Sequence, residues 1–406
     1  MKVLMLGWEL PPHNSGGLGV SCLNLARALA RRGVEIDFIM PYRTIDTNID
    51  FMNILSATNF LPPASINGSA YDHTNLSRQN IPTTHGKNIS IREIQHVYQD
   101  YIKTYLTNHH PDIIHAHDWL TFEAGVLAKN TTHAPLIAHV HATEYDRSGA
   151  HAGNPLIHAI ERAGLLAADE IFAVSNSTRN LIHDIYQIPF DKISTVYNAL
   201  DESYDPKSYH LDHSLYKYVD HAKKSGYHIV STVGRFTAQK GLQNLLRGAA
   251  LALTKNPKII FIFAGDGEEN SELINLAASL GIAHSVIFTG FVRGQKLRDI
   301  YALSDVFVMS SISEPFGLTA LEAASHGDAL ILTRESGVSE VLRSALTYNF
   351  WDERKLADEI LAVTSYPALL STLRSAAHQE YRHLSWDKVA DKCFKVYNNI
   401  TGITKP

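Results

Sequence analysis

The chain has 406 residues, 45% of them hydrophobic and 19% charged, with a formal net charge of −5. That length is too great for one typical domain and enough for two packed cores, and the lack of a long basic run argues against a nucleic-acid binder. Two cysteines, Cys22 and Cys393, belong to no C-x-x-C pair, and the 22 histidines form no cluster with metal-ligand spacing, so neither a disulfide framework nor a metal site is expected.

Taken in chain order, Val3 to Leu6 reads as a short buried strand. Its apolar run ends at Trp8 and Glu9, too short for a secretion signal. The glycine-rich Asn14-Ser-Gly-Gly-Leu-Gly19 comes next. Val20 to Arg32 then has apolar residues at 23, 26, 29 and 30 and stops at Gly33, which is the spacing and end signal of a helix. Val34 to Met40 is the next strand. Thr44 to Ile91 is irregular, with paired prolines and many Asn, Ser and Thr, and is expected to be a functional loop region or an insertion. The alternation resumes with Asp112 to His117 (strand), Thr121 to Lys129 (helix), Leu136 to His141 (strand), Leu156 to Ala167 (helix) and Glu170 to Val174 (strand).

Asp201 to Tyr227 is polar, lacks a clear period and reads as a linker. A second series begins with Ile229 to Gly234 (strand) and Leu242 to Leu253 (helix). Ile259 to Ala264, Val286 to Thr289, Val306 to Met309 and Ala329 to Leu332 continue the strands. The last helix, Trp386 to Ile400, has one apolar face. No stretch of 18 apolar residues occurs, so no membrane span is expected. With the low cysteine count this predicts a cytoplasmic protein, with peripheral membrane contact left open. Short apolar strands alternating with helices predict an α/β protein of two doubly wound, parallel-sheet, Rossmann-like domains, residues 1–205 and 206–385. Ligands of such folds bind at the carboxyl ends of the strands, so the chemistry is expected in the loops after those strands.

Those loops carry four signals. Ser313-Glu-Pro-Phe-Gly-Leu-Thr-Ala-Leu-Glu322 comes after a strand and opens a helix. The N–H groups of Phe316, Gly317, Leu318 and Thr319 then sit at a helix start, where unpaired donors and the positive dipole end suit a phosphate. Glu322, two turns in, is placed to accept from ribose hydroxyls. Gly234-Arg-Phe-Thr-Ala-Gln-Lys-Gly241 comes after the first strand of the second domain, and Arg235 and Lys240 are suited to a diphosphate. Gly16-Gly17-Leu18-Gly19 lets backbone approach a ligand but lacks the third glycine of the dinucleotide fingerprint, having Cys22 there. His115-Ala-His-Asp118-Trp119 and His139-Val-His141-Ala-Thr-Glu144 close two strands of the first domain. They set Asp118 and His141 at the crevice, with His115 and His117 in supporting places.

These residues resemble the large family four of retaining glycosyltransferases, with the two-domain GT-B fold and features of its glycogen-synthase-like branch. The likeness rests on Trp8-Glu-Leu-Pro-Pro with Gly16-Gly17, His115-Ala-His-Asp118-Trp119, His141-Ala-Thr-Glu-Tyr-Asp146, Gly234-Arg-Phe with Lys240-Gly241, and Glu314 to Glu322. Ser336-Gly-Val-Ser-Glu340 and Phe350-Trp-Asp352 also match. The resemblance implies transfer of a hexose from a UDP-, GDP- or ADP-linked donor to a saccharide, glucan or lipid-linked acceptor, without a metal or other cofactor. It implies that Arg235 and Lys240 hold the diphosphate, Glu314 the donor sugar, Glu322 the ribose, and His141 the sugar near the reacting carbon. Gly16 and Gly17 would close on the phosphates, and Glu9 and Asp118 would face the sugar or acceptor. The last helix, 386–406, would pack back on the first domain, and the stretch from Thr44 to Ile91 would govern acceptor choice.

One departure is Asn14, where glycogen and starch synthases carry Lys two residues before Gly-Gly-Leu; this counts against α-glucan synthesis proper. A nucleotide-sugar epimerase of the same architecture is the nearest enzymatic alternative, and a two-lobed sugar-binding protein the alternative outside enzymology.

Overall fold

The computed structural model describes residues 1–11, 17–43, 49–59, 81–82, 88–149, 153–200 and 214–402. The chain divides into two compact units. One comprises Met1–Arg147, His151–Ala199 and Trp386–Pro406; the other comprises Ser148–Ala150 and Leu200–Ser385. Among the described residues no helix is long and apolar enough to cross a membrane.

The first unit is built on a seven-stranded sheet whose pairs are all parallel. Its spatial order is Asn53–Ser56, Glu35–Met40, Lys2–Leu6, Ile113–His117, Leu136–Val140, Glu170–Ala173 and Ile193–Thr195. The chain winds outward one way from Lys2–Leu6 and then the other way from Ile113–His117. The loops after these two strands therefore flank the point where the winding reverses, the place where such sheets bind ligands. Helices cover both faces, so Ile113–His117 and Leu136–Val140 are buried along their whole length. That burial takes in His115, His117 and His139 as well as the aliphatic residues.

Two findings revise the sequence reading here. Part of the irregular stretch from Thr44 to Ile91 is the edge strand Asn53–Ser56, paired in parallel with Asp37 to Met40; residues 44–48, 60–80 and 83–87 lie outside the described residues. The helix Ile91–Leu106 comes next, and its start was legible as a capping box. Ser90 Oγ accepts from the Glu93 N–H, and Glu93 accepts from the Ser90 N–H at 2.7 Å.

The helix Trp386–Thr401 lies in the first unit against Gly17–Ala30 and buries Trp386, Ala390, Cys393 and Tyr397. Arg32 fastens it, donating to Asp391 at 2.6 Å, to the Asp387 carboxylate at 2.8 Å and to the Asp387 carbonyl at 2.5 Å.

The second unit carries a six-stranded parallel sheet in the order Val286–Gly290, Ile259–Ala264, His228–Val233, Val306–Met309, Ala329–Thr333 and Leu346–Tyr348. Its winding reverses between His228–Val233 and Val306–Met309. The polar stretch read as a linker is in part a helix, Ser214–Lys224. Its apolar residues Tyr216, Val219 and Ala222 pack on Ile229, Ile260 and Ile300, and Lys223 reaches Asp305 at 2.9 Å. Leu215, Tyr216, Val219 and Ala222 form the inward face, a period hidden by the exposed Tyr218 and the interleaved Lys, Asp and His residues. Residues 201–213 lie outside the described residues.

The buried histidines carry an acid-sensitive share of the stability. Burial, with the neighbouring imidazoles, pushes His115 down to about 3 and drives His117 and His139 well below the ordinary range. The unfolded chain takes up these protons near pH 6.5 while the folded chain does not, so the histidines' contribution to stability falls as pH falls below that value. By pH 5 each histidine removes up to about 2 kcal/mol. Raised carboxyls such as those of Glu161 and Glu322 act in the opposite direction, so the histidine share is read by difference: from pH 7.5 to pH 5 the urea midpoint, monitored by circular dichroism, should change more favourably in His115→Phe than in the parent, and equal changes would contradict this account. Separately, Trp386→Ala should destabilise the protein by about 3–5 kcal/mol, read from the same midpoint at pH 7.5.

Candidate active site

In the second unit, the loops after the two strands at the winding reversal interlock. Gly234 donates its N–H to the Ala264 carbonyl at 3.0 Å, and Phe236 donates to the Asp266 carbonyl at 2.9 Å. The turn Gly265-Asp266-Gly267 thus lies directly on the segment that carries Arg235. Gly265 has φ +146°, and a Cβ there would sit 1.8 Å from the Gly234 carbonyl oxygen, so only glycine lets the two backbones meet. Lys240 ends the short 3-10 turn Ala238–Lys240, and its ammonium contacts Glu314 Oε2 at 2.5 Å. Ser311 Oγ donates to the same oxygen at 2.8 Å, and Ser310 Oγ donates to the Lys240 carbonyl at 2.8 Å. Gly234, Lys240, Ser311, Glu314 and Thr319 line one narrow pocket. A wider open groove runs along the helix Pro367–Tyr381 beside Gly327; it holds none of these groups, and we place the site by its chemistry rather than by pocket size.

The Glu314 loop is clamped from its other side. Gly337 N–H donates to the Glu314 carbonyl at 2.9 Å, and Val338 N–H donates to the Phe316 carbonyl at 2.7 Å. Gly317, at φ +110°, turns the chain into the helix Leu318–His326, and no side chain caps that start. A Cβ on Gly317 would lie 2.9 Å from Met309. The amides of Leu318 and Thr319 therefore open the helix at its positive dipole end. Inside that helix Glu322 accepts from the Tyr301 hydroxyl at 2.8 Å, and burial raises its carboxyl to about 7.

In the first unit, Glu9 and Asp118 come after the strands that flank the winding reversal, and both are buried. Glu9 Oε1 accepts from the Gly19 N–H at 3.2 Å, holding the first turn of the helix Gly17–Ala30. Asp118 takes φ +59°, uncommon for a side-chain-bearing residue. Its Oδ1 accepts from the His141 N–H at 2.6 Å and the Ala142 N–H at 3.4 Å. Gly17 is the first residue of its helix, whereas Gly16 and Asn14 lie outside the described residues.

The segment after His141 is tied down by groups that sequence reading did not single out. Arg147 donates to the Ala142 carbonyl at 3.0 Å and to Glu161 at 3.1 Å. Glu161 also accepts from the Glu144 N–H at 2.8 Å and from the Tyr186 hydroxyl, and burial raises its carboxyl to about 7. Tyr301, Ser311 and Glu161 lie in ordinary helix or loop sequence and gave no local signal. The four histidines of the two strand ends did stand out. Among the described residues, Cys22, His117 and His141, and likewise His115, His117 and His139, bring potential metal-ligand atoms within 4.8 Å of one another. Their rings stack, at 19° for His115 and His117 and 23° for His139 and His141. Several of the ring nitrogens pair with one another, whereas the buried Nε2 of His117 and of His139 meets no hydrogen-bond partner among the described residues. His115 Nε2 meets His139 Nδ1 at 3.1 Å, His117 Nδ1 meets His141 Nε2 at 3.0 Å, and His115 Nδ1 meets the Tyr397 hydroxyl at 2.6 Å.

The likeness to known proteins spans both units. Residues 15–204 match the family model for glycosyltransferase family 4, and residues 218–379 match that for glycosyl transferases group 1. An uncharacterized glycosyltransferase of Methanocaldococcus jannaschii is 27% identical over 411 residues, spanning 98% of each chain. A glycogen synthase of Mycobacterium tuberculosis is 24% identical, over 98% of this chain and 94% of its own. Among solved structures, a sucrose-phosphate synthase of Thermosynechococcus elongatus superposes with a TM-score of 0.75 at 18% identity, over 99% of this chain and 100% of its own. The catalytic domain of starch synthase IV of Arabidopsis thaliana, bound to ADP and acarbose, superposes with a TM-score of 0.72 at 16% identity, over 99% of each. With both halves matched and two parallel-sheet units in one chain, this protein belongs to glycosyltransferase family 4, has the GT-B fold, and is a glycosyltransferase.

Proposed function

We propose that the enzyme moves a hexose from a nucleoside diphosphate sugar to a hydroxyl of a saccharide, glucan or lipid-linked acceptor, with retention of the anomeric configuration. We assign the donor to the second unit and the acceptor to the first. The observation that carries this reading is the meeting of Lys240 and Glu314 at 2.5 Å beside the uncapped start of the helix Leu318–His326. A cation, a carboxylate and free helix-end amides at one strand-end pocket suit a phosphate and a sugar bound side by side. The starch synthase neighbour binds ADP, which accords with a nucleotide on this fold.

Each residue takes a separate share of the chemistry. Arg235, Lys240 and the amides from Phe316 to Thr319 grip the diphosphate and stabilise the charge that grows on it as the bond to the anomeric carbon breaks. Glu314, oriented by Lys240 and Ser311, accepts from donor sugar hydroxyls. Glu322, held by Tyr301, accepts from the ribose. The acceptor oxygen bonds to the anomeric carbon on the face that the diphosphate leaves. Its proton passes to the departing phosphate oxygen, so no carboxylate nucleophile is needed. Protein cations and amides neutralise the phosphates in place of a metal ion. His141 donates to the donor sugar, while Glu9 and Asp118 hold the loops that meet the acceptor.

Thermal shift with UDP, GDP and ADP identifies the base. A ligand at 100 Kd should stabilise by about 2.7 kcal/mol; failure of all three to bind would end the reading. Hydrolysis of the matching nucleotide sugar, with the anomer assigned by proton NMR at early times and turnover compared with and without EDTA, tests retention and independence of metal. Lys240→Ala and Arg235→Ala should each lower kcat at least about tenfold, some 1.4 kcal/mol of transition-state stabilisation, and unchanged turnover in both would remove the assignment. Because Glu322 titrates at about 7 and serves as an acceptor when ionised, nucleotide affinity should rise from pH 6 to pH 8. In Glu322→Gln that rise should disappear, as measured by calorimetric titration.

A further inference from the structure

We propose that His117 is a positioning residue for His141: its Nδ1–H donates to His141 Nε2, orients the ring, and fixes the tautomer in which His141 carries its own proton on Nδ1. This rests on the reading that His141 donates to the sugar.

The strands Ile113–His117 and Leu136–Val140 pair in parallel with His117 opposite His139. Alternate residues of a strand share a face, so His115 and His117 fall on one face with His139, and His141 continues that row just past the strand end. The rings of His139 and His141 stack with centroids 4.2 Å apart, and those of His115 and His117 with centroids 4.5 Å apart. His117 Nδ1 meets His141 Nε2 at 3.0 Å, while the His141 backbone N–H is held at 2.6 Å by Asp118. Backbone and ring of His141 are thus each anchored once.

The surroundings of the two rings set the direction of the ring hydrogen bond. His117 is fully buried, and its Nε2 meets no hydrogen-bond partner. A proton there would be a buried N–H with no acceptor, which proteins rarely tolerate. Cys22 Sγ lies within 4.8 Å of one nitrogen of each of the two rings but makes no hydrogen bond to His117 Nε2. The proton of His117 therefore belongs on Nδ1, facing His141. Burial keeps both rings neutral near pH 7, so His141, accepting at Nε2, has its proton on Nδ1. Only His141 of the four is not fully buried, and its Nδ1 meets no hydrogen-bond partner among the described residues. The ladder thus turns the one accessible ring nitrogen into a donor aimed outward.

Two measurements on the full-length chain decide this. Long-range proton–nitrogen spectra of histidine-labelled protein, with the His141 signals identified by their loss in His141→Asn, should show a pyrrole-type Nδ1 and a pyridine-type Nε2. The opposite pattern would overturn the proposal, and so would an unchanged pattern in His117→Leu. With UDP-glucose, GDP-glucose or ADP-glucose, whichever is hydrolysed, His117→Leu should lower kcat roughly tenfold or more while KM for the donor stays within about twofold. His117→Asn, whose amide N–H lies near the imidazole Nδ1 position, should recover most of the loss. Equal turnover in folded His117→Leu and the parent would refute the positioning role. If His141→Ala itself turns over normally, the assignment of His141 to the sugar fails, and the spectra still judge the hydrogen bond. Should His117→Leu not fold, the parent spectra and His117→Asn carry the test.

Discussion

The contact between Lys240 and Glu314 joins the two loops of the candidate site in the second unit. Each loop comes after one of the strands at the winding reversal, so the pair spans the crevice where a doubly wound sheet takes its ligand. A partly buried cation and carboxylate stabilise each other only when their remaining hydrogen-bonding capacity is met. Here Ser311 supplies part of that capacity. Gly265 and Gly317 permit the close backbone approaches that set the two loops, and the strand-like contacts of Glu314 and Phe316 with the segment from Glu335 to Val338 hold the second loop in place. Backbone contacts thus fix the course of both loops, and a loop held in its binding conformation lowers the ordering cost of binding.

The first unit meets the same geometric demand by different means. Its strand ends carry polar groups into a fully covered sheet, and each one burdens the fold unless it is paired. The histidines meet this in part, by pairing with one another and with Tyr397 and by staying neutral, while Nε2 of His117 and of His139 meets no partner among the described residues. Asp118 and Glu9 solve it by accepting backbone N–H groups from the segments next in the chain. The helix Trp386–Thr401 thereby contributes more than coverage, since Tyr397 ends the histidine ladder while Arg32 binds the carboxylates on that helix's outer side.

The raised carboxyls of Glu161 and Glu322 have a common origin. Both are desolvated and both accept from a tyrosine hydroxyl, which returns only part of the lost hydration. Glu161 sits behind the His141 segment and Glu322 behind the helix that opens on the pocket. In each unit a buried acid raised toward neutrality lies behind a segment of the candidate site, at a cost in stability that functional sites commonly bear.

The sequence by itself determined the two doubly wound parallel sheets and marked the loops after their strands as candidate sites. Buried parallel strands read as continuous apolar runs, and glycine, proline and carboxylate residues mark the loops between them and the next helix. Hence Val306 to Met309, the segment from Glu314 to Glu322 and the segment from Gly234 to Gly241 were all legible locally. The helix Ser214–Lys224 was not, because its apolar residues are interleaved with Lys217, Asp220, His221 and the exposed Tyr218, and its inward face shows only once Ile229, Ile260 and Ile300 are seen to receive it. The strand Asn53–Ser56 was hidden in the same way, as an edge strand defined by its partner. Tertiary structure alone decided that Lys240 touches Glu314 across 74 residues, that Tyr301 supports Glu322, and that His117 faces His141. A hydrogen bond between distant residues depends on sheet order and register to a fraction of an ångström, and no pattern along the chain encodes that distance.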